Sequence, residues 1–378
     1  MDRKIRFIHT ADLHLGAAVS TTAAISAERK SEALLTLEKI FSLCREKSAE
    51  LLLVAGDLLD NNAVDKKYFD AFIRATTESP ELTVIFAAGN HDPLTADSPF
   101  LSGKLPENLI VLETEDCVHT LDRLGVRIYG RSFSSVYLAG ENRFSLPTEQ
   151  DDFLNIMVQH GELCGSLSGG YNPIIREFVE QSGMDYIALG HVHAGGSVSR
   201  LGKTSFAYSG TPEPHGFDEL GSKGVIFGEL SKAGLKYEFI PTARRTYEEI
   251  EVDISALSTP SEMADAALKT IKERIGERFA DNLYKVILTG AVAEGVNPDL
   301  AEITARLAAS LYFVKVRSRT KERIDLDLLS RENSLKGRFV RIMREKIDAA
   351  AEGEKEKLEG ALYLGISAFE AEVEYNED

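Results

Sequence analysis

Seven side chains that could bind metal ions follow hydrophobic runs in this chain: Asp12, His14, Asp57, Asn90, His160, His191 and His193. They belong to five short motifs, which read Asp12-Leu13-His14, Gly56-Asp57-Leu58-Leu59-Asp60, Gly89-Asn90-His91-Asp92, His160-Gly161 and Gly190-His191-Val192-His193. Carboxylate, amide and imidazole groups without a thiolate suit Mn²⁺, Fe²⁺ or Zn²⁺ better than Mg²⁺ or Ca²⁺ alone. The set is large enough for two metal ions.

The segments before these motifs are continuous apolar runs, which predict strands buried on both faces. They are Ile5–Ile8, Leu51–Ala55, Val84–Ala88, Ile156–Val158 and Tyr186–Leu189. Open sheets with helices on both faces gather ligand sites at the carboxyl ends of their strands. Each motif alone is a weak signal, but their co-occurrence after five such strands predicts one shared site.

The order of these motifs resembles the calcineurin-like metallophosphoesterase superfamily. Within it, residues 10–16 and 56–60 resemble the SbcD-type DNA-repair exonucleases, which are the nuclease partners of the SMC-like ATPase SbcC. Residues 208–214 and 217–219 also resemble the stretch that follows Gly-His-x-His in that family. Leu13 stands where the family often has Trp, a difference that concerns packing and not ligation. The resemblance covers residues 1–241, and the remainder only in outline.

The resemblance implies two ligand groups joined by a bridging carboxylate, Asp57. These groups are Asp12, His14 and His193 for the first ion, and Asn90, His160 and His191 for the second. Two ions of this kind can share a hydroxide and clamp a phosphate. Mn²⁺ is the expected metal, with Fe²⁺, Zn²⁺ and Mg²⁺ as alternatives.

His91 and Asp60 are the candidate catalytic residues beside the ligands. His91 follows a ligand directly, so its side chain is expected to point toward the substrate, where it stabilises the phosphate or protonates the leaving oxygen. Asp60 could orient His91 and hold its proton, as carboxylates do for imidazoles near metals. It could equally cap the start of the next helix, and the sequence leaves both interpretations open.

The other histidines and the cysteines favour structural interpretations. His9 is expected to make a packing or loop contact, and His119 has no partner motif. His215 could line the substrate cleft, but a solvated loop is favoured. Cys44 falls on an apolar helical face, and the three cysteines have no pairwise spacing typical of metal or redox sites, which points to a reducing compartment.

The pattern predicts an α/β fold: a two-sheet metallophosphoesterase sandwich flanked by helices, a small α+β cap domain and a helical C-terminal tail. The expected boundaries are 1–241 for the catalytic domain, 248–324 for the cap and 325–378 for the tail. Short runs between residues 197 and 240 predict an antiparallel extension of the second sheet. The resemblance implies that the cap contacts DNA, although a generic accessory domain fits equally. The tail could dock the ATPase or pack on the enzyme itself.

The net charge of −17 is unusual for a free-standing DNA-binding protein, because phosphate neutralisation drives affinity. Residues 315–346 carry eleven Lys and Arg against five Asp and Glu, and alternation from Lys315 could place a basic row on one strand face. A solvated face that balances an acidic protein is the favoured interpretation. No apolar stretch approaches a membrane span and no signal peptide is recognised, so a cytoplasmic protein is expected.

The motifs predict two-metal-dependent phosphoester hydrolysis, and the resemblance implies that the substrate is a DNA phosphodiester bond in double-strand-break or end processing. The predicted activity is that of an exonuclease, with endonuclease activity as an extension. Its expected partners are DNA, an SbcC-like SMC ATPase and a second copy of the chain as a homodimer. A metallophosphoesterase that acts on nucleotides or another small phosphodiester shares every ligand, so it remains the alternative. A non-catalytic scaffold protein with this fold would be expected to have lost some of the metal ligands. The full set is present here, so this alternative is not favoured.

Overall fold

A computed structural model describes residues 3–18, 23–137, 151–165, 171–293, 296–322 and 325–370. The first strands and helices are β1 (Lys4–Thr10), α1 (Ala23–Glu46), β2 (Leu51–Val54), α2 (Lys66–Thr77), β3 (Thr83–Phe86), α3 (Pro99–Ser102), β4 (Leu109–Val111), β5 (Cys117–Leu121), β6 (Val126–Arg131) and β7 (Leu154–His160). They are followed by β8 (Leu163–Cys164), β9 (Ile174–Ile175), α4 (Arg176–Gln181), β10 (Tyr186–Gly190), β11 (Val198–Leu201), β12 (Thr204–Tyr208), β13 (Gly224–Ser231), β14 (Gly234–Pro241) and β15 (Tyr247–Asp253). The remaining elements are α5 (Pro260–Ile275), β16 (Leu283–Thr289), β17 (Ala291–Val292), α6 (Leu300–Ala308), β18 (Phe313–Ser318), β19 (Lys321–Glu322), α7 (Leu326–Arg331), α8 (Leu335–Ala349) and α9 (Glu352–Glu370).

Two six-stranded sheets dominate the first part of the chain. The first has the order β14-β13-β1-β2-β3-β4, and the second has the order β11-β12-β10-β7-β6-β5. The strands β1 to β4 run parallel, as do β6, β7, β10 and β12. The carboxyl ends of the parallel strands therefore gather at one edge of each sheet, where the metal-type motifs follow them.

The predicted placement of the later strands is only half right. β11 and β12 join the second sheet as expected, although β12 pairs in parallel with β10. β13 instead pairs antiparallel with β1, and β14 pairs with β13, so both extend the first sheet. Their apolar runs identify them as strands but carry no information about which sheet edge they occupy.

Side-chain alternation along the strands divides the core into layers. Leu51 and Leu53 of β2 join a buried cluster with residues of β6, β7 and β10 between the two sheets. Leu52 and Val54 point the other way and pack against α1 and α2, in a cluster that includes Cys44. A third cluster covers the outer face of the second sheet, with residues of β10 and α4. The predicted two-sheet sandwich flanked by helices is confirmed.

The chain divides into two compact units. The first comprises residues 1–249, 278–285 and 311–313, and the second comprises residues 250–277, 286–310 and 314–378. A three-stranded sheet, β15-β16-β18, accompanies α5 and α6. The sequence Thr259-Pro260-Ser261-Glu262 predicts a capping box, and Thr259 and Glu262 form one at the start of α5, with Pro260 in its first turn.

The predicted helical tail consists of α7, α8 and α9 over the described residues, and 371–378 lie outside them. Val340 and Met343 of α8 pack with Leu362 and Ile366 of α9. The spacing of Leu335, Phe339 and Ile342 at i, i+4 and i+7 predicts one apolar face for α8. This prediction is partly wrong, because Leu335 and Ile342 are 73% and 44% exposed. Among the described residues, no helix is both long and apolar enough to cross a membrane.

Candidate metal centre

The predicted ligands converge at the carboxyl ends of the parallel strands. Asp12 follows β1, Asp57 follows β2, Asn90 follows β3, His160 ends β7 and His191 follows β10. Asp12 and His160 are fully buried, and Asp57 is 2% exposed. Such burial of carboxylates and imidazoles is costly unless each is paired or binds a cation.

One group of converging side chains consists of Asp12, His14 and His193, whose ligand atoms all lie within 4.8 Å of one another. The Nε2 atoms of His14 and His193 are 3.2 Å apart. The Nδ1 of His193 faces the Glu219 carboxylate and donates its proton there, which directs Nε2 toward His14. The three side chains can supply one carboxylate and two imidazole ligands to a single ion.

A second group consists of Asp12, Asp57 and His160, again within 4.8 Å. His160 donates from Nδ1 to the Ala55 carbonyl at 2.9 Å, so its Nε2 faces inward. That nitrogen lies 3.0 Å from Asn90 Oδ1 and 3.3 Å from Asp57 Oδ2. A proton on Nε2 satisfies both oxygens, and a metal ion in its place would satisfy all three atoms. His191 approaches this group through its ring, whose centroid is 5.3 Å from that of His160.

The Asp57 carboxylate lies between the two groups. Its Oδ2 is 3.3 Å from His160 Nε2 and 3.7 Å from His14 Nε2. Its Oδ1 accepts a hydrogen bond from the His91 backbone amide at 2.9 Å. A single carboxylate oxygen therefore faces both imidazoles, which is a suitable arrangement for a group between two cations.

The site favours positive charge where the ions would lie. Burial lowers the pKa of His160, but the carboxylates of Asp57 and Asp12 and the Ala55 carbonyl together outweigh this and raise it to about 9. Burial raises the pKa of Asp57, whereas His160 lowers it further, so the carboxylate stays ionised. Burial raises the pKa of Asp12 to about 6 and lowers that of His14 to about 3. The protonated His160 therefore holds, beside Asp57, the kind of charge that a metal ion would supply.

The backbone at the site is held in conformations that most residues avoid. Asp12, His14, Asp57 and His191 have φ angles of 54°, 43°, 50° and 100°. Left-handed backbone at non-glycine residues costs of order 1–3 kcal/mol each and clusters at functional sites. Gly89 is required for a different reason, since a Cβ there would lie 2.1 Å from Asp57 Oδ1.

Two further buried carboxylates, those of Asp92 and Glu219, position these loops, and neither was predicted to have this role. Asp92 accepts hydrogen bonds from the amides of Asp57, Leu58, Leu59 and Gly89, at 3.2, 2.8, 3.0 and 2.8 Å. It thereby joins the loop after β2 to the loop after β3. Glu219 accepts from His193 Nδ1 and from the backbone amide of His215. Asp92 belongs to the motif Gly-Asn-His-Asp, so a role near the site could have been inferred from the sequence. Glu219 lies 26 residues from its partner His193, so no local pattern connects the two residues.

His91 and Asp60 lie together beside the first group, and the helix-cap interpretation of Asp60 is wrong. His91 Nδ1 is 2.9 Å from the backbone carbonyl of Asp60, and 4.0 Å from its carboxylate. The helix that follows is capped by Asp65 and not by Asp60. The Asp60 carboxylate also lies 3.9 Å from His14 Nδ1, so it faces both imidazoles.

The predictions for the remaining histidines, His9, His119 and His215, agree with the structure only in part. His9 is buried and bonded to Tyr186 Oη at 2.9 Å and to the Leu189 carbonyl, as expected of a packing residue. The favoured solvated-loop interpretation of His215 is wrong, because its ring centroid lies 5.9 Å from that of His14. His119 does have partners: it lies in β5, beside Glu113 and Cys117.

The chain belongs to the calcineurin-like phosphoesterases, whose family model matches residues 5–195. These enzymes use a dimetal centre, and the converging groups described above are the candidate site for it. The chain is therefore a metal-binding phosphoesterase of the hydrolase class.

Three relatives are similar to the chain over more than half of its length. It is 27% identical to the uncharacterized metallophosphoesterase YhaO of Bacillus subtilis, over 77% of this chain and 73% of that protein. It is 25% identical to the DNA double-strand break repair protein Mre11 of Methanopyrus kandleri, over 84% of this chain and 72% of that protein. It is 23% identical to the SbcD component of the nuclease SbcCD of Bacillus subtilis, over 57% of this chain and 64% of that protein.

Proposed function

We propose that this phosphoesterase is a DNA exonuclease of the SbcD type that processes double-strand breaks. The observation that carries the proposal is the similarity to a protein named for double-strand break repair, which spans 84% of this chain and so extends well beyond residues 5–195. A second relative is named as part of a nuclease. The alignment with the repair protein therefore includes the elements that a minimal phosphatase would lack.

The proposed site has a division of roles. Asp12, His14 and His193 would hold one ion, Asn90, His160 and His191 would hold the other, and the Asp57 carboxylate would serve both. Two divalent ions bound there would neutralise charge on the phosphodiester and activate a water near neutral pH, and Mn²⁺ suits this donor set. His91 projects beside the first group, where it can donate a proton to the departing sugar oxygen. The Asp60 carbonyl fixes the orientation of that ring.

The proposed partners are DNA, an SMC-like ATPase and a second copy of the chain. The tail helices expose Leu328, Leu335 and Leu364, which are 60%, 73% and 75% accessible. Exposed apolar side chains on helices suit docking to another helix, such as that of a coiled coil. The three free cysteines suit the reducing cytoplasm.

The first test is hydrolysis of an end-labelled linear duplex and of bis-p-nitrophenyl phosphate, each with Mn²⁺, Mg²⁺ or EDTA. The proposal expects Mn²⁺-dependent digestion from DNA ends. Cleavage of the small diester with intact DNA, even after the SMC-like ATPase is added, would contradict the nuclease assignment and favour a small-molecule substrate.

The variants His91→Ala and Asp57→Asn test the division of roles. His91→Ala is expected to retain both ions and to lose about 10²–10⁴-fold in turnover, the usual contribution of a proton donor. Asp57→Asn is expected to lose metal as well as turnover, because the bridging charge is gone. Metal content by mass spectrometry distinguishes them, and equal metal loss in the two variants would refute the assignment.

A further inference from the structure

A second cluster of metal-type side chains lies at the open edges of the two large sheets. β4 is the last strand of the first sheet and β5 is the last strand of the second. The chain passes from one to the other through residues 112–116. Glu113 lies in that connection, and Cys117 and His119 lie on β5.

The three side chains already converge. His119 Nε2 and Glu113 Oε2 are 3.0 Å apart, and the ligand atoms of Glu113, Cys117 and His119 all lie within 4.8 Å of one another. Cys117 and His119 are two residues apart in a strand, so their side chains project from the same face. Two ligands of a tetrahedral zinc ion, each about 2.0–2.3 Å from the metal, are separated by roughly 3–4 Å. The cluster therefore needs little adjustment to surround one ion.

The surroundings of the thiol are negative. Burial, together with the carboxylates of Glu113 and Asp116, raises the pKa of Cys117 to about 12. The protonated thiol makes a hydrogen bond to the Gly130 carbonyl at 3.1 Å. Surroundings that disfavour a second negative charge favour a cation, and a cation would stabilise the thiolate in turn.

We propose that Glu113, Cys117 and His119 form a third metal site, for a zinc ion with water as the fourth ligand. Thiolate, imidazole and carboxylate together are a zinc-type donor set, unlike the thiolate-free dimetal centre. On binding, the thiol releases its proton to solvent, the hydrogen between His119 Nε2 and Glu113 moves to His119 Nδ1, and the ion takes its place. One proton is released for each ion bound.

A metal ion at the third site would link the edges of the two sheets. Glu113 follows a strand of the first sheet, whereas Cys117 and His119 belong to a strand of the second. An ion held by all three would add a link between these two edges, beside the hydrogen bond that Ser132 N donates to the Glu113 carbonyl at 2.7 Å. Because the folded state alone presents the three ligands together, zinc is expected to raise the melting temperature.

Cobalt substitution separates this site from the dimetal centre. The full chain is freed of metal by a chelator and titrated with Co²⁺. A near-ultraviolet sulfur-to-cobalt charge-transfer band is expected, because only this site contains a thiolate. Zn²⁺ should abolish the band. Cys117→Ser should lose it and bind one ion fewer per chain, whereas Cys164→Ser, at another half-buried thiol, should retain it.

His119→Gln keeps the thiol and is expected to lose the band too, so it decides the question if Cys117→Ser fails to fold. Absence of the band in the wild-type chain while Co²⁺ fills the dimetal centre would overturn the proposal. A band that survives Cys117→Ser, or that disappears in Cys164→Ser, would overturn it equally. None of these readouts depends on the substrate of the enzyme.

Discussion

The imidazoles of the metal centre owe their orientation to groups behind them. His160 is held by the Ala55 carbonyl, His91 by the Asp60 carbonyl and His193 by the Glu219 carboxylate. Each contact occupies Nδ1, so each ring presents Nε2 to the site. A ligand set of this kind binds metal tightly only while the outer partners fix the ring orientation and the proton position.

Glu219→Gln is expected to weaken metal binding at the first group by about 10–100-fold, the usual cost of losing an outer partner of a histidine ligand. The amide can still accept a hydrogen bond, but it no longer raises the basicity of His193. Metal titration by calorimetry measures the effect, with Glu229→Gln on β13 as a control. Unchanged affinity would mean that Glu219 does not position His193.

His9 provides a pH-dependent term in stability. Burial lowers the pKa of His9 to about 3, so the folded protein keeps it neutral while the unfolded chain protonates it below about 6.5. Its contribution to folding is therefore complete above that pH and declines as the pH falls toward 3. At pH 5.5 the loss amounts to about 1.4 kcal/mol relative to pH 8.

The variant His9→Gln should reduce the difference in unfolding free energy between pH 8 and pH 5.5 by that amount. Urea denaturation followed by circular dichroism suits this chain, which contains no Trp. EDTA in both buffers keeps metal loss out of the comparison. An unaltered pH dependence in the variant would show that another group carries the acid sensitivity.

The sequence identified residues inside motifs but not their partners elsewhere in the chain. Asp12, His14, Asp57, Asn90 and His160 come together because each lies at or just after the carboxyl end of a parallel strand, which its apolar run identified as a strand. The contacts of His215 and His119 were missed, since each depends on strand pairing or on a loop that no local pattern encodes. The distances of the candidate site therefore required the fold.

At the scale of elements, hydrophobic runs predicted the strands well and their sheet positions less well. β13 pairs with β1 and β14 pairs with β13, at one edge of the first sheet. The path of the chain, and not the composition of the two strands, determines which edge they join. In α8 the buried face is set by contacts with α9, so the spacing of apolar residues alone misplaced it. The capping box of α5 was predictable because all its interactions lie within four residues.

Basic side chains form a row on the exposed face of β18, and their contribution to DNA binding can be tested. Val314 and Val316 are buried, whereas Lys315 and Arg317 are exposed. If this row contacts DNA phosphates, the double variant Lys315→Gln, Arg317→Gln should reduce the slope of log affinity against log salt by about 2. Hydrolysis of bis-p-nitrophenyl phosphate should not change.

Fluorescence anisotropy of labelled duplex at several salt concentrations measures the slope. Lys66→Gln, Lys67→Gln is the matched control, because both side chains are exposed on α2, at 81% and 58%. Equal slopes in the two double variants would support the solvated-face interpretation of this row.

At the scale of the whole molecule, the net charge and the exposed apolar surface are both consistent with a protein that binds DNA together with a partner. A chain of charge −17 gains little from general attraction to DNA, so a partner that contributes DNA affinity would complement it. The tail has its own apolar cluster, made by α7, α8 and α9, and still exposes Leu335 and Leu364. These two side chains are consequently free to contribute to docking without a role in the fold of the tail.

Leu335→Lys with Leu364→Lys is expected to weaken binding to an SMC-like ATPase from the same organism by at least about 100-fold. Burial of one leucine is worth about 1.5–3 kcal/mol, and every 1.4 kcal/mol is a factor of ten. Surface substitutions of this kind alter stability by about 0.5 kcal/mol or less, so diester hydrolysis and thermal unfolding should be preserved. Leu101→Lys, 59% exposed on α3, is the control for added charge. Surface plasmon resonance with the immobilised ATPase measures the affinity, and equal binding by both variants would place the ATPase contact elsewhere on the chain.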